Sequence, residues 1–334
     1  MGRQQEQPLI GEAPGFLEVL ERVSRVAQLN RPVLVIGERG TGKELIAARI
    51  HYLSPRWDHP FIKLNCATLA ESLLETELFG HEAGSFTGAT RRRLGRFELA
   101  NEGSLFLDEL ASTSDRVQEK VLRVIEYGEL ERVGGNETIR TDVRIIGATN
   151  EDLPALAEAG RFRADLLDRL AFDVITLPPL RERREDILPL AQHFAVKMAG
   201  ELGLELFEGF SESARELLLD YGWPGNVREL KNVVERAVYS FLGQDGQIED
   251  INFDPFESPW RPGARSAESS DAGAPAQPSG PYDFKEHIQA TEIALLQDAL
   301  EQCRFNQKKT AEYLGMTYHQ LRGYLRKYEL TDSD

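Results

Sequence analysis

The sequence is poor in cysteine, in basic charge and in long apolar runs, and each shortage excludes something. Its two cysteines, Cys66 and Cys303, lie too far apart to give a metal-ligand spacing or a disulfide framework. A reducing cytosol is therefore the expected location, with both thiols acting as packing residues. No run of about 18 apolar residues occurs, so no membrane span is expected. The opening MGRQQEQPLIGEA lacks the apolar core of a secretory leader. Lys and Arg number 39 against 55 Asp and Glu, a formal net charge of −16. A chain this acidic does not coat nucleic acid over its whole surface, so any DNA contact must sit in a local basic segment. The rest of the composition, 41% hydrophobic and 28% charged over 334 residues, is that of a globular chain with material for two or three domains.

What is present is organised around residues 33–44, VLVIGERGTGKE. Val33, Leu34, Val35 and Ile36 read as a short buried strand, and residues 45–53 as the helix that follows. Between them Gly37, Gly40, Thr41, Gly42 and Lys43 fit the spacing G-x-x-x-x-G-K of a phosphate cradle. The glycines let successive N–H groups turn toward an anion, the helix N-terminus adds its positive end, and Lys43 can reach the β- and γ-phosphates of a nucleotide. Glu44 stands where the general motif has the Ser or Thr that holds Mg²⁺.

Downstream, residues 60–65 form a candidate strand with Asn65 at its C-terminal end, where open α/β sheets place ligands. A helix is expected over 71–79. It leads into GHEAGSFTGA, in which the one aromatic, Phe86, sits among small residues and is expected to be exposed at a tip. Residues 104–109, SLFLDE, are an apolar strand ending in two acids. Beside a phosphate cradle such a pair suits nucleotide hydrolysis, Asp108 holding Mg²⁺ mostly through water and Glu109 polarising the attacking water; a solvated acidic turn is the other reading. An amphipathic helix over 118–127, a glycine-bearing turn at Glu131–Gly135 and a strand over 143–150 ending in Thr149 and Asn150 continue the alternation. It predicts a mostly parallel sheet covered on both faces. Residues 162–169 read as a helix whose Arg163 and Arg169, six positions apart, point to different faces; pairing with Asp165 and Asp168 within the helix is an alternative.

After Pro178-Pro179 the chain turns helix-rich to about residue 242, a small separate helical domain. Within it WPGNVRE sets a turn, with Asn226 expected as N-cap, Glu229 as capping-box acid and Arg228 in the first turn of a helix. From 254 to 281 the composition shifts to Pro, Ser, Ala and Gly, a flexible linker. Beyond it a helix is expected over 284–303. Asn306 caps the next, over 307–314, Gly315 allows a left-handed turn, and Thr317 with Gln320 opens a third. That is a helix-turn-helix pattern, and Lys308, Lys309, Arg322, Arg326 and Lys327 make it the local basic segment; a helical dimerisation tail is the competing reading. Tyr318, His319, Gln320 and Arg322 are candidates to reach base edges, and Lys327 to contact phosphate. The expected layout is 1–178 α/β, 179–253 helical, 254–281 linker and 282–334 helix-turn-helix.

GERGTGKE, ELFGHEAGSFTGA, GSLFLDEL, FRADLLDRL and WPGNVREL, in this order, resemble the AAA+ activators of bacterial sigma-54 RNA polymerase, and the resemblance spans essentially the whole chain. With no sensor domain ahead of the cradle, the chain looks like the branch that activates phage-shock operons. The resemblance implies an AAA+ P-loop α/β fold with a helical lid, ATP and Mg²⁺ as cofactors, and ATP hydrolysis. Gly37, Gly40, Thr41, Gly42, Lys43, Glu44 and Asp108 match its ATP site; the family also carries Glu at the position of Glu44. Asn65 matches the residue that holds the catalytic Glu109 in a nucleotide-dependent switch. Thr149 and Asn150 match one nucleotide sensor and Arg228 a second. Arg163 and Arg169 match arginine fingers that reach the neighbouring subunit's site in a homo-oligomeric ring, expected to be a hexamer. Gly84, Ser85, Phe86, Thr87, Gly88 and Ala89 match the loop that contacts the sigma factor, with Ser85 replacing the family's Ala at an expected exposed tip; Arg132 and Val133 match a companion loop. The implied partners are the sigma-54 RNA polymerase holoenzyme, enhancer DNA and an inhibitor, phage-shock protein A, docking at Trp57. On sequence alone Trp57 reads either as exposed in the polar turn 54–60 or as half-buried there. A DNA-bound repressor or initiator-type ATP switch is the alternative function, and a protein unfoldase a third.

Overall fold

The computed structural model describes residues 9–86, 89–204, 207–243, 246–256, 284–303 and 306–328. The chain divides into two units, Met1–Pro255 and Phe256–Asp334. In the first, helix α1 (Pro14–Ala27) precedes strand β1 (Val33–Ile36), and α2 (Lys43–Tyr52) connects it to β2 (Phe61–Asn65). Next come α3 (Glu71–Phe79), β3 (Gly80–His81), β4 (Arg93–Leu94), α4 (Arg96–Leu99) and β5 (Ser104–Asp108). Helix α5 (Asp115–Tyr127), strands β6 (Glu129–Glu131), β7 (Thr138–Arg140) and β8 (Arg144–Thr149), helices α6 (Leu153–Glu158) and α7 (Ala164–Leu170), and β9 (Val174–Thr176) complete the α/β part.

Strands β2-β5-β8-β1-β9 lie side by side in that order, all parallel. The inner strands β1 and β5 are buried on both faces, which is why they read as apolar runs instead of alternating with polar residues. Successive side chains go to opposite cores. Leu34, Leu105 and Leu107 pack with Leu78, Phe79 and Val121 on one face, while Val33, Val35 and Phe106 pack with Val23, Ile46 and Ile50 on the other. Helix α5 starts three residues before the periodicity suggested, at Asp115, and stops at Gly128 in the left-handed conformation (φ 67°). The hairpins β3/β4 and β6/β7 sit apart from this sheet, and an isolated bridge from His81 to Val133 joins them.

Helices α8 (Arg184–Glu201), α9 (Glu212–Asp220) and α10 (Asn226–Ser240) enclose a separate core around fully buried Trp223, whose indole N–H donates to the Leu218 carbonyl (2.9 Å). The expected cap at Asn226 is corrected here. Gly225 is the N-cap, and Asn226 is buried in a left-handed conformation (φ 54°) with its side chain turned to other partners. Glu229 does reach back, accepting from the Gly225 N–H (2.8 Å).

One buried ionisable group bears on stability. His51 on α2 is 1% exposed, stacks on Phe61 (4.8 Å) and lies 3.0 Å from Ser104 Oγ through Nδ1. Burial pushes its pKa down from 6.5 to about 4. The unfolded chain takes up this proton at a higher pH than the folded one, so the contribution is intact above pH 6.5 and is lost as pH falls toward 4. His51→Gln is therefore expected to flatten the pH dependence of denaturant-unfolding stability across that window; an unchanged slope would refute the assignment.

In the second unit, α11 (Phe284–Gln302), α12 (Gln307–Tyr313) and α13 (Tyr318–Lys327) pack around Leu296, Leu300, Ala311, Leu321 and Leu325. Asn306 Oδ1 accepts from the Lys309 N–H (3.2 Å), Gly315 is left-handed (φ 64°), and Thr317 with Gln320 forms a capping box. Most of the stretch read as a linker lies outside the described residues. Cys66 is buried and Cys303 half-buried, both unpaired. Among the described residues no helix is long and apolar enough to cross a membrane.

Candidate functional site

Parallel strands end at the same edge of a sheet, so β1, β2, β5 and β8 deliver the cradle, Asn65, Asp108-Glu109 and Thr149-Asn150 to one place. Gly37 N–H donates to the Thr149 carbonyl (3.2 Å), tying cradle to sheet. Gly40 and Gly42 take left-handed backbones (φ 81° and 99°). At Gly40 a Cβ would lie 2.2 Å from the Gly225 carbonyl oxygen, so the lid's approach itself requires glycine there. Lys43 opens α2, is buried, and donates to the Gly37 carbonyl (2.9 Å) and Glu38 carbonyl (3.3 Å). Burial lowers its pKa; Asp108 and Glu109 oppose that shift, and Arg228 and Arg39 add to it. Three cations converging on a helix N-terminus and left-handed glycines are a fit to polyphosphate. Arg39, Arg228, Gly225, Glu229 and Asn232 help to line an open cleft of about 310 Å³ beside the cradle.

Two cradle residues do other work. Thr41 Oγ1 donates to the Glu38 carbonyl (2.8 Å). The exposed carboxylate of Glu44 pairs with Lys63 Nζ of β2 (3.0 Å).

At the strand ends Asn65 and Asp108 are register partners, and Asn65 Nδ2 donates to Asp108 Oδ2 (3.1 Å). The Glu109 N–H donates to the other oxygen, Oδ1 (3.0 Å). This departs from the expectation that Asn65 holds Glu109. Register sets Asn65 directly beside Asp108, while Glu109 is left-handed (φ 52°) and its carboxylate lies 3.8 Å from Arg39 Nε. A non-glycine residue in that conformation is held against a backbone cost of order 1–3 kcal/mol, a feature that clusters at active sites. Thr149 is buried with Oγ1 accepting from the Glu151 N–H (3.0 Å), and Asn150 is exposed.

Phe86 is 46% exposed, its ring edge-on to His81 (5.0 Å). Gly84 N–H donates to the Ala89 carbonyl (2.7 Å), closing the loop below it, and Ala89 is buried; Thr87 and Gly88 lie outside the described residues. Ser85 is half-buried at the loop's base, its hydroxyl donating to the Glu82 carbonyl (2.8 Å), which corrects its placement at an exposed tip. Arg132 lies on the neighbouring loop. It is buried, bonded to Glu98 through Nε (3.0 Å) and Nη2 (2.5 Å) and to Glu82 through Nη1 (2.7 Å). Val133 exchanges backbone bonds with Gly80 and Glu82, and a Cβ on Gly134 would lie 2.4 Å from Ser85 Cβ. The two loops therefore form one braced unit through Arg132, and Phe86 is the exposed aromatic it carries.

Arg163 is the N-cap of α7 and not inside it. Its guanidinium pairs with Asp165 (2.7 Å), whereas Arg169 pairs with Glu126 of α5 (2.8 Å) instead of Asp168. The helix-internal alternative thus describes Arg163 alone. Both guanidinium groups are solvent-accessible, and their ion pairs are with these acids and not with cradle residues. Trp57 is 62% exposed in the turns after α2, which decides between its two readings.

On the second unit, His319, Arg322 and Arg326 are exposed and spaced to share a face of α13, opposite buried Leu321 and Leu325. Lys308 and Lys309 are exposed nearby in sequence on α12. Two of the candidates also bond within their own unit. Gln320 Oε1 is taken by the Thr317 N–H and hydroxyl (both 2.9 Å), and Lys327 is drawn to Glu292 (3.6 Å) and Tyr328 on its own unit. Tyr318 is half-buried with its hydroxyl on Gln307 (3.4 Å). The sequence reading missed the bonds that Glu38, Arg181 and Asn226 make with one another; an acid inside a phosphate loop was the available signal.

Comparison with known proteins agrees with this geometry. The sigma-54 interaction domain family matches residues 9–176, the AAA+ ATPase lid domain 181–262, and the bacterial regulatory protein, Fis family, 288–328. The chain is 58% identical to the Psp operon transcriptional activator of Escherichia coli K12, over 96% of this chain and 98% of that one. It is 45% identical to a Nif-specific regulatory protein of Azotobacter vinelandii, over 95% of this chain and 58% of that one. A crystal structure of NtrX from Brucella abortus in complex with ATP superposes with a TM-score of 0.69 at 31% identity, covering 96% of this chain and 70% of that one. The chain belongs to the sigma-54-dependent transcriptional activators, built from an AAA+ ATPase domain, its lid and a helix-turn-helix DNA-binding domain.

Proposed function

We propose that this chain hydrolyses ATP between adjacent copies of itself, in a ring expected to be a hexamer, and uses the energy to remodel the sigma-54 RNA polymerase closed complex at phage-shock promoters. The observation that carries this is the joining, within one unit, of a cationic phosphate cradle to an exposed aromatic on a braced loop. Lys43, Arg39 and Arg228 hold phosphate. Asp108, oriented by donors on both oxygens, would hold Mg²⁺ through its water shell, and the ion would supply charge neutralisation at the transferred phosphoryl group. Glu109 polarises the attacking water, Thr149 and Asn150 sense the γ-phosphate, and Arg163 and Arg169 of one copy complete the site of the next. Asn65 acts on Glu109 through Asp108, since both of its neighbours' bonds meet on that carboxylate.

Lys308, Lys309, His319, Arg322 and Arg326 hold the second unit on enhancer DNA, which raises the local concentration near the promoter. Trp57 docks phage-shock protein A, the inhibitor, and the setting is cytoplasmic. The test is open-complex formation on a sigma-54 promoter with purified components. ATP should support opening and a non-hydrolysable analogue should not; equal opening with both would remove the reading. With the inhibitor added, Trp57→Ala should keep firing while the parent chain is silenced.

A further inference from the structure

Glu38 lies inside the phosphate cradle, yet its carboxylate is taken from the lid side. Arg181 donates to both oxygens, Nη1 to Oε2 (2.9 Å) and Nη2 to Oε1 (2.6 Å), and Asn226 Nδ2 donates to Oε2 (3.0 Å). The same Asn226 amide donates to the Arg39 carbonyl (3.1 Å), and its Oδ1 accepts from the Leu180 N–H (2.8 Å). One fully buried side chain thus joins the cradle, the connection between the two subdomains and the start of α10. These bonds hold the Glu38 carboxyl down at about 2, so it stays charged at any physiological pH. Asn226 also takes a left-handed backbone (φ 54°), a conformation open to asparagine more readily than to most side chains. Two residues on is Arg228, and a Cβ on Gly40 would lie 3.1 Å from Arg228 Cβ.

We propose that Glu38, Arg181 and Asn226 form a latch that positions Arg228 over the phosphate cradle. It rests on the reading of Arg228 as a nucleotide contact. An isolated, half-exposed Arg–Glu pair contributes little. Here the carboxylate is shared with a buried amide, and charge-assisted bonds from two elements fix one lid angle. Nucleotide pulling on Arg228 and the latch closing favour the same arrangement, so each strengthens the other.

The test uses the full chain with Glu38→Gln and Arg181→Met, both at partly exposed side chains, so that folding, checked by an unchanged melting temperature, is preserved. Glu38→Gln sets an amide N–H₂ against existing donors. The KM for ATP and the Kd for ADP are expected to rise about tenfold, with kcat changed less. The double variant should be no worse than either single change, and in an Arg228→Ala background Glu38→Gln should add nothing. Additive losses, a full Glu38→Gln effect without Arg228, or unchanged affinity where Arg228→Ala itself weakens binding would each overturn the latch. If Arg228→Ala alone leaves affinity unchanged, the reading of Arg228 falls and the latch with it.

Discussion

Replacing Arg163 or Arg169 by alanine is expected to lower ATP turnover of the assembled protein by roughly 10³–10⁵-fold, the range for arginine fingers supplied by a neighbour. The structure indicates how the residues are held ready. Each guanidinium rests on a solvent-accessible acid, Asp165 or Glu126, and water screens exposed pairs of this kind so that they add little stability. Exchanging such a carboxylate for a phosphate that gains charge in the transition state is therefore favourable, and removing the arginine costs little fold stability. Nucleotide binding to the separate subunit should survive, because the proposed phosphate contacts Lys43, Arg39 and Arg228 are left in place. Turnover near the parent rate in a ring of Arg163→Ala subunits would sink the role for that residue, and the same assay decides Arg169.

Phe86→Ala is expected to abolish promoter opening while ATP hydrolysis continues. The ring is 46% exposed and meets His81 edge-on (5.0 Å), so little core packing is removed. The brace below it, Arg132 with Glu82 and Glu98, does not involve the phenyl group. An exposed aromatic held by a rigid base is the type of anchor that dominates protein interfaces, where truncation costs 2 kcal/mol or more by rough rule. The measurement pairs hydrolysis rate with open-complex yield on one preparation. Loss of both would assign Phe86 to folding instead of to partner contact.

Much of the α/β unit was legible in the chain. Val33–Ile36 and Ser104–Asp108 are strands buried on both faces, and such strands announce themselves as unbroken apolar runs. Gly315 and the Thr317–Gln320 pair are local turn chemistry, readable because their partners are within a few residues. The misreadings share the opposite property. Asn226 has the residue type and spacing of a cap, but it bonds Glu38, some 188 positions away. Arg132 sits on the companion loop, but what fixes its guanidinium, Glu98 and Glu82, lies 34 and 50 positions away.

By itself the amino-acid order determined the phosphate cradle, the strand-end acids, the helix-turn-helix and the family, because those signals depend on backbone preferences and on spacing along the chain. Which carboxylate Asn65 holds, where Glu44 goes, and what steadies the Phe86 loop were decided only in three dimensions. A charged side chain with several reachable partners settles on the one that packing brings within hydrogen-bond distance, and that distance is a property of the folded chain.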